Sequence, residues 1–135
     1  MEIALISSKD SLVDIIGQLK KYLEKEIMNI EVVAEYAESA LEIPKVAKNF
    51  RGCKLILIFA MLEKGNYKLA TIAKYLVDFE MKSDSKVILA LEEYLEKEGE
   101  PDLDELKESL YKKYRKLIME TLYSKEQLKE AGKKF

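Results

Sequence analysis

The sequence contains no histidine, no tryptophan and only one cysteine, Cys53. Histidine is the usual general base near neutral pH and the commonest metal ligand, so serine-type triads, HExxH zinc sites and histidine proton shuttles are excluded. One cysteine cannot form an intramolecular disulfide, and such usage is typical of a reducing compartment. We therefore predict a cytoplasmic protein without a metal site. We expect Cys53 to be a small core residue rather than a nucleophile, because no histidine can activate it.

Long apolar runs and an excess of charge of either sign are also lacking. The longest apolar run, Leu55 to Leu62, is far shorter than the roughly 20 residues that span a bilayer. The first residues lack the basic start and apolar stretch of a secretory signal, so we expect neither a leader nor a membrane partner.

The 23 Lys and Arg residues against 25 Asp and Glu give a net charge of −2, which argues against a nucleic-acid partner. The basic stretch 112–116 is expected to face water, with phosphate or RNA binding as the alternative.

What the chain does have is the composition of one folded domain, which we assign to residues 1–135. Hydrophobic residues make up 48% of it and charged residues 36%. Short β-branched or apolar runs alternate four times with segments in which apolar residues recur at three- and four-residue spacing. This alternation predicts an α/β fold with a four-stranded parallel sheet and helices on both faces, in three α/β/α layers.

The predicted elements follow in order along the chain. A first strand at 3–6 precedes a helix capped at Asp10 or Ser11, where Ser11 and Asp14 have capping-box spacing. The remaining predicted elements are a strand at 30–36, a short helix from Pro44 to about Phe50, a strand at 55–61, a helix with its stripe at 69–79, a strand at 87–91 and a long helix capped by Asp102.

In parallel sheets of this kind a ligand lies beyond the carboxyl ends of the strands, so we expect a site among the loops that begin at Ser7, Ala37, Met61 and Leu91. None of these loops carries a glycine-rich phosphate fingerprint. The general acid or base candidates there are carboxylates, each of which would need burial or a charged neighbour to move its pKa toward neutrality. They are Glu42, Glu63, Glu92 and Glu93.

Two segments resemble motifs of a known family. The stretch 38–48 followed by 52–61 resembles the "PG-x-x-[DE]-[LI]-P-x-A-x-K" turn and the "GCD-apolar strand-GM" strand of the lumazine synthase and archaeal riboflavin synthase family. The ending, 122–128 and 131–133, resembles the "LF-x-PE-x-L-x-x-x-AGKG" tail of the archaeal riboflavin synthases. The resemblance covers nearly the whole chain.

This resemblance implies a flavodoxin-like sheet assembled as a homopentamer, with active sites between neighbouring subunits. The implied reaction takes two molecules of 6,7-dimethyl-8-ribityllumazine, transfers a four-carbon unit from one to the other, and releases riboflavin and a ribitylaminouracil. It needs no external cofactor, because it rests on positioning two rings and moving protons from acidic methyl groups.

The resemblance also implies which residues meet the substrate. Residues 61–64 would lie beside the ring, and we expect Glu63, Lys64 or water to take over the catalytic proton transfers in this chain. The other positions would hold the ribityl chain or the ring. These substrate-binding positions are Ser7, Ser8, Ser39, Ala40, Leu41, Glu42, Ile43, Met61 and Leu62.

Three segments depart from the family pattern. The "DTTFAR" segment is replaced by 7–12, which has no aromatic residue, and "GMPGK" is replaced by 60–64, which keeps only the methionine and the lysine. The histidine-containing start of the next helix becomes 71–74. A second hypothesis therefore stays open, namely a non-catalytic homo-oligomeric relative that binds a flavin or pterin or has a structural role.

Overall fold

A computed structural model describes residues 1–95 and 102–123, in which four strands alternate with helices. The strands and helices run in the order β1 (Glu2–Ser8), α1 (Ile16–Glu26), β2 (Glu31–Ala37), α2 (Ile43–Ala47), β3 (Leu55–Glu63), α3 (Tyr67–Lys82), β4 (Lys86–Tyr94) and α4 (Leu103–Leu122). Short 3-10 turns, Ala40–Glu42 and Lys48–Phe50, flank α2 on either side. None of the helices in this part of the chain is both long and apolar enough to cross a membrane.

The four strands form one parallel sheet in the order β2-β1-β3-β4. The central strand β3 is buried at every position from Leu55 to Leu62, because helices cover both of its faces. The predicted α/β class, the parallel sheet and the three-layer flavodoxin-like arrangement are confirmed.

Alternate side chains of the central strands feed two separate cores. Ile3, Leu5, Leu57 and Phe59 pack on one face with α1 and α4. Ala4, Ile6, Ile56 and Ile58 pack on the opposite face, against α2 and α3. This division follows from the two-residue period of a strand, since a helix covers each face.

The predicted start of α1 is wrong. Its helix begins at Ile16, and the backbone N–H of Ile16 donates to the Asp14 carboxylate at 3.0 Å. Ser11 does not cap the helix, because its hydroxyl accepts a hydrogen bond from the backbone N–H of Met61 at 3.1 Å. The loop after β1 is therefore longer than the sequence pattern indicated.

Two strands also run further than expected at their carboxyl ends. The third continues to Glu63 and the fourth to Tyr94, because residues 61–63 pair in register with residues 92–94. This pairing moves Glu92 and Glu93 from a loop into a strand. Asp102 caps α4 as predicted, with its carboxylate accepting from the backbone N–H of Glu105 at 3.2 Å. The tail motif beyond residue 123 and the connection 96–101 lie outside the described residues.

Cys53 is buried at the amino end of the sheet, as predicted, and burial raises the pKa of its thiol. The hydroxyl of Ser85, itself buried, contacts the backbone carbonyl oxygens of Cys53 and Arg51. This contact joins the connection before β3 to the connection before β4.

Replacing Ser85 with alanine should lower the free energy of unfolding by about 1–3 kcal/mol, because it leaves the buried carbonyl oxygen of Cys53 without this donor. Urea unfolding of S85A measures this loss. The matched control is S109A on the exposed surface of α4. Equal stability of S85A and S109A would show that the hydroxyl contact does not stabilise the fold.

Candidate active site

The carboxyl edge of the sheet contains a crevice where the strand order reverses. From β1 the chain continues to β2 on one side, while β3 pairs with β1 on the other side. The connections that leave β1 and β3 therefore diverge onto opposite faces and open a space between them, which is where ligands bind in sheets of this type.

Asp10, in the loop after β1, joins three elements at this crevice. Its two carboxylate oxygens accept from the backbone N–H of Ala40 at 3.1 and 3.2 Å. One of them also lies 3.0 Å from the ammonium of Lys68 on α3, and both side chains are about one quarter exposed, at 25% and 26%. The ion pair is therefore shielded from bulk water yet still open to a ligand.

The surroundings of Asp10 hold its carboxyl group ionised. Burial alone would raise its pKa, but hydrogen bonds from Ser8, Lys68 and the Ala40 N–H, together with the charge of Lys68, outweigh burial and lower the pKa below its ordinary value. Asp10 is consequently a hydrogen-bond acceptor and a fixed negative charge at neutral pH.

Two serine hydroxyls lie next to this carboxylate. The oxygen atoms of Ser8 and Ser11 are 2.9 Å apart, and Ser11 also accepts from the Met61 N–H. The carbonyl oxygen of Met61 accepts from the backbone N–H of Leu12 at 2.9 Å. These bonds fix the loop after β1 onto the end of β3.

The segment after β2 contributes residues of two kinds. Ala40 and Ile43 are buried, and the Ala40 N–H is already bonded to Asp10. Leu41 and Glu42 are exposed, and Ser39 is partly exposed. Leu41, Glu42 and Ser39 are thus accessible to a ligand from the outer side of the turn.

The residues at the end of β3 that were expected to bind substrate point their side chains into two different cores. Met61 and Leu62 are buried, the first in the core with α1 and α4 and the second in the core with α2 and α3. Ser7 is also buried, with 1% exposure. A ligand in the crevice would meet these three residues mainly through their backbone.

Glu63 and Lys64 are exposed at the tip of β3. The backbone N–H of Lys64 donates to the carbonyl of Tyr94 at 2.8 Å, and the carbonyl of Glu63 accepts from the N–H of Asn66 at 3.0 Å. Among the described residues, no hydrogen bond or ion pair joins either side chain to the Asp10 group. The backbone at this tip is therefore held, while the two side chains remain available to a ligand.

A cavity of about 380 Å³ adjoins this tip on the side toward β4. Its walls combine the first turns of α3 with the end of β4, and they are largely apolar. The lining residues are Gly65, Asn66, Tyr67, Leu69, Ala70, Ala73, Leu91 and Glu93. Its size and apolar walls suit a flat ring system better than a chain of hydroxyl groups.

Another polar group lies at the same edge, on the face covered by α4. The Glu92 carboxylate accepts from the hydroxyl of Tyr114 at 2.6 Å and from the ammonium of Lys113 at 2.8 Å. Burial would raise the pKa of Glu92, but these two donors lower it, while burial and the Glu92 charge raise the pKa of Tyr114. Near neutral pH, Glu92 therefore stays ionised and Tyr114 stays protonated. The pair is suited to anchoring α4 rather than to transferring a proton.

Sequence reasoning missed the central role of Asp10. It was interpreted as a helix cap, because its contact with Lys68 joins positions 58 residues apart and no local pattern reveals it. The available signal was an acidic residue two positions after a buried strand, at an edge where parallel sheets bind ligands. In the part of the chain that the structure describes, no three acidic or cysteine side chains cluster as a metal site requires.

No model of a known protein family matches the chain, and comparison with curated proteins finds no match either.

Proposed function

We propose that the protein is a riboflavin synthase-type enzyme that converts two molecules of 6,7-dimethyl-8-ribityllumazine into riboflavin and a ribitylaminouracil. The resemblance of segments 38–48 and 52–61 to the lumazine and riboflavin synthase family supports this function. The four-stranded flavodoxin-like sheet agrees with the fold that the resemblance implies. The reaction balances without an oxidant or a cofactor, because one ring gains the four carbons that the other loses.

The observation that carries the proposal is the chemistry of the Asp10 group. A carboxylate in the centre of the crevice repels a phosphate group, and it already occupies the Ala40 N–H that a phosphate would need. A neutral polyol fits such a group, because each hydroxyl can donate to a carboxylate and accept from an ammonium. The ribityl chain of the lumazine is a neutral polyol with several such hydroxyls.

The rings of the two substrate molecules are assigned to the tip of β3 and the adjoining 380 Å³ cavity. Glu63 would accept a proton from an acidic methyl group, and the Lys64 ammonium would stabilise the resulting anion. Both side chains are exposed within one chain. A neighbouring subunit that covers them would exclude water and strengthen both interactions.

A homopentamer with active sites between subunits forms part of this proposal. Support comes from apolar side chains that α3 exposes, namely Tyr67 at 65%, which lines the cavity, and Val77 at 47% and Met81 at 82% on later turns of the helix. Exposed apolar side chains on one helix are typical of an interaction surface. Light scattering after size-exclusion chromatography measures the assembly, and a monomer at micromolar concentration would contradict this part.

Glu63→Gln and Lys64→Ala should each lower the rate of riboflavin formation about 10- to 1000-fold, because each removes one proton-transfer or charge-stabilising group. Stability should stay within about 0.5 kcal/mol of wild type, since both side chains are exposed. Initial rates at saturating lumazine, with unfolding curves for each variant, test this expectation.

The controls are Glu24→Gln and Lys21→Ala, which make the same changes on the exposed surface of α1, between β1 and β2 in the chain. These controls should keep the wild-type rate. If Glu63→Gln and Lys64→Ala also keep it, the tip of β3 takes no part in the reaction.

The second candidate function is binding of a flavin or pterin without turnover. The lowered pKa values of Asp10 and Glu92 favour it, because carboxylates held ionised are weak bases. Quenching of lumazine or riboflavin fluorescence measures binding directly. Micromolar affinity without product formation supports this second function, whereas neither binding nor product would leave a structural role.

A further inference from the structure

A second cleft lies between α2 and α3, toward the opposite edge of the sheet. Its volume is about 280 Å³, and it is bounded by one side of α2 with its following turn and by the last two turns of α3. The lining residues are Pro44, Lys48, Arg51, Tyr75, Asp78, Phe79 and Lys82. None of these residues belongs to the Asp10 group or to the tip of β3.

Positive charge predominates in this cleft. Lys82 is neutralised by Asp78, whose carboxylate lies 3.0 Å from the Lys82 ammonium. Lys48 and Arg51 form no ion pair with any described residue, so the cleft keeps a net charge of about +2. Two unpaired cations that line one cleft repel each other, and an anion bound between them would relieve that repulsion.

Aromatic rings form the other side of the cleft. The guanidinium carbon of Arg51 lies 6.0 Å from the centre of the Phe79 ring, and both residues line the cleft. Phe79 is buried, whereas the ring of Tyr75 is 63% exposed. An exposed tyrosine ring beside an arginine offers a stacking surface for a flat heterocycle.

We propose that this cleft binds a 5′-mononucleotide, with the phosphate between Lys48 and Arg51 and the base against Tyr75. A phosphomonoester carries about −1.5 to −2 charges at neutral pH, which matches the two unpaired cations. Arg51 can bond two phosphate oxygens at once, and Lys48 adds a point charge. The cleft volume of about 280 Å³ lies just below the range of about 300–1,000 Å³ for small-molecule sites, so it favours a small ligand such as a mononucleotide.

Titration with adenosine 5′-monophosphate, adenosine and inorganic phosphate tests the proposal by calorimetry on the full chain. The monophosphate should bind at least about tenfold more tightly than either of the others, because only it uses both the cations and the ring. Its affinity should also fall as salt is raised. Adenosine or phosphate binding as tightly as the monophosphate would overturn the assignment.

Substitutions of the lining residues test whether the monophosphate binds in this cleft. Lys48→Gln and Arg51→Gln should each weaken binding of the monophosphate about tenfold or more, and Tyr75→Ala should reduce it toward the affinity of inorganic phosphate. Lys21→Gln, on the exposed surface of α1 on the opposite face of the sheet, removes one positive charge as each of these variants does and is the matched control. Because Lys48 is exposed, K48Q reports on binding even if R51Q loses stability. Unchanged affinity in K48Q and Y75A would overturn the proposal.

Discussion

Phe59→Ala should lower the free energy of unfolding by about 3–5 kcal/mol. The side chain is inaccessible to solvent in the middle of β3, where it packs with α1 and α4. Its ring meets that of Tyr114 edge to face, with centroids 6.1 Å apart. The substitution would remove this contact and leave a cavity that rigid strands on both sides cannot close.

The loss is large because a small domain has a total stability of only about 5–15 kcal/mol. Tyr75→Ala, which removes an aromatic ring that is mostly exposed, should cost less than about 1 kcal/mol. Urea unfolding of both variants gives the comparison. If F59A and Y75A lost the same stability, Phe59 would not lie in the principal core.

Asp10→Asn should reduce the rate of riboflavin formation about 10- to 100-fold and the stability by about 1–3 kcal/mol. The amide keeps an acceptor for the Ala40 N–H, but it removes the charge that binds Lys68 and that, in the proposed function, would accept from the substrate hydroxyls. Stability and rate are measured separately, so that a folded but slow variant is distinguished from an unfolded one. A wild-type rate in folded D10N would remove Asp10 from the site.

The same substitution should change how stability depends on pH. Because the folded pKa of Asp10 lies below its unfolded value near 3.8, its ion pair stabilises the fold above that value and loses this effect as the pH falls through the folded pKa. The wild-type advantage over D10N should therefore be complete at pH 6 and shrink below about pH 4. Glu38→Gln, which breaks the exposed pair with Lys9, should show little of this dependence.

The fold could be predicted from local patterns because its core strands are continuous apolar runs. The stretch 55–61 is the most apolar of the chain and was the best candidate for a central buried strand, and the stripe of α3 repeats at helical spacing. The start of α1 could not be predicted in the same way. Ser11 has the spacing of a cap, but it bonds to Met61, a residue 50 positions away that no local pattern reveals.

The candidate site was predicted less completely than the fold. Its place at the carboxyl edge follows from parallel topology alone, and Ser8 and Ala40 do lie together there. The side chain that connects them, Asp10, depends on a contact with Lys68 that forms only after the chain folds. The burial of Met61 and Leu62 in two different cores likewise depends on how far β3 extends beside β4.

The most direct test of the proposed function is to incubate the purified protein with 6,7-dimethyl-8-ribityllumazine and to separate the products by chromatography. A sample without protein at the same temperature corrects for any uncatalysed reaction. We expect riboflavin and the ribitylaminouracil to form in equal amounts, at a rate proportional to protein concentration. A folded sample that forms no riboflavin above the uncatalysed rate would contradict the proposed reaction.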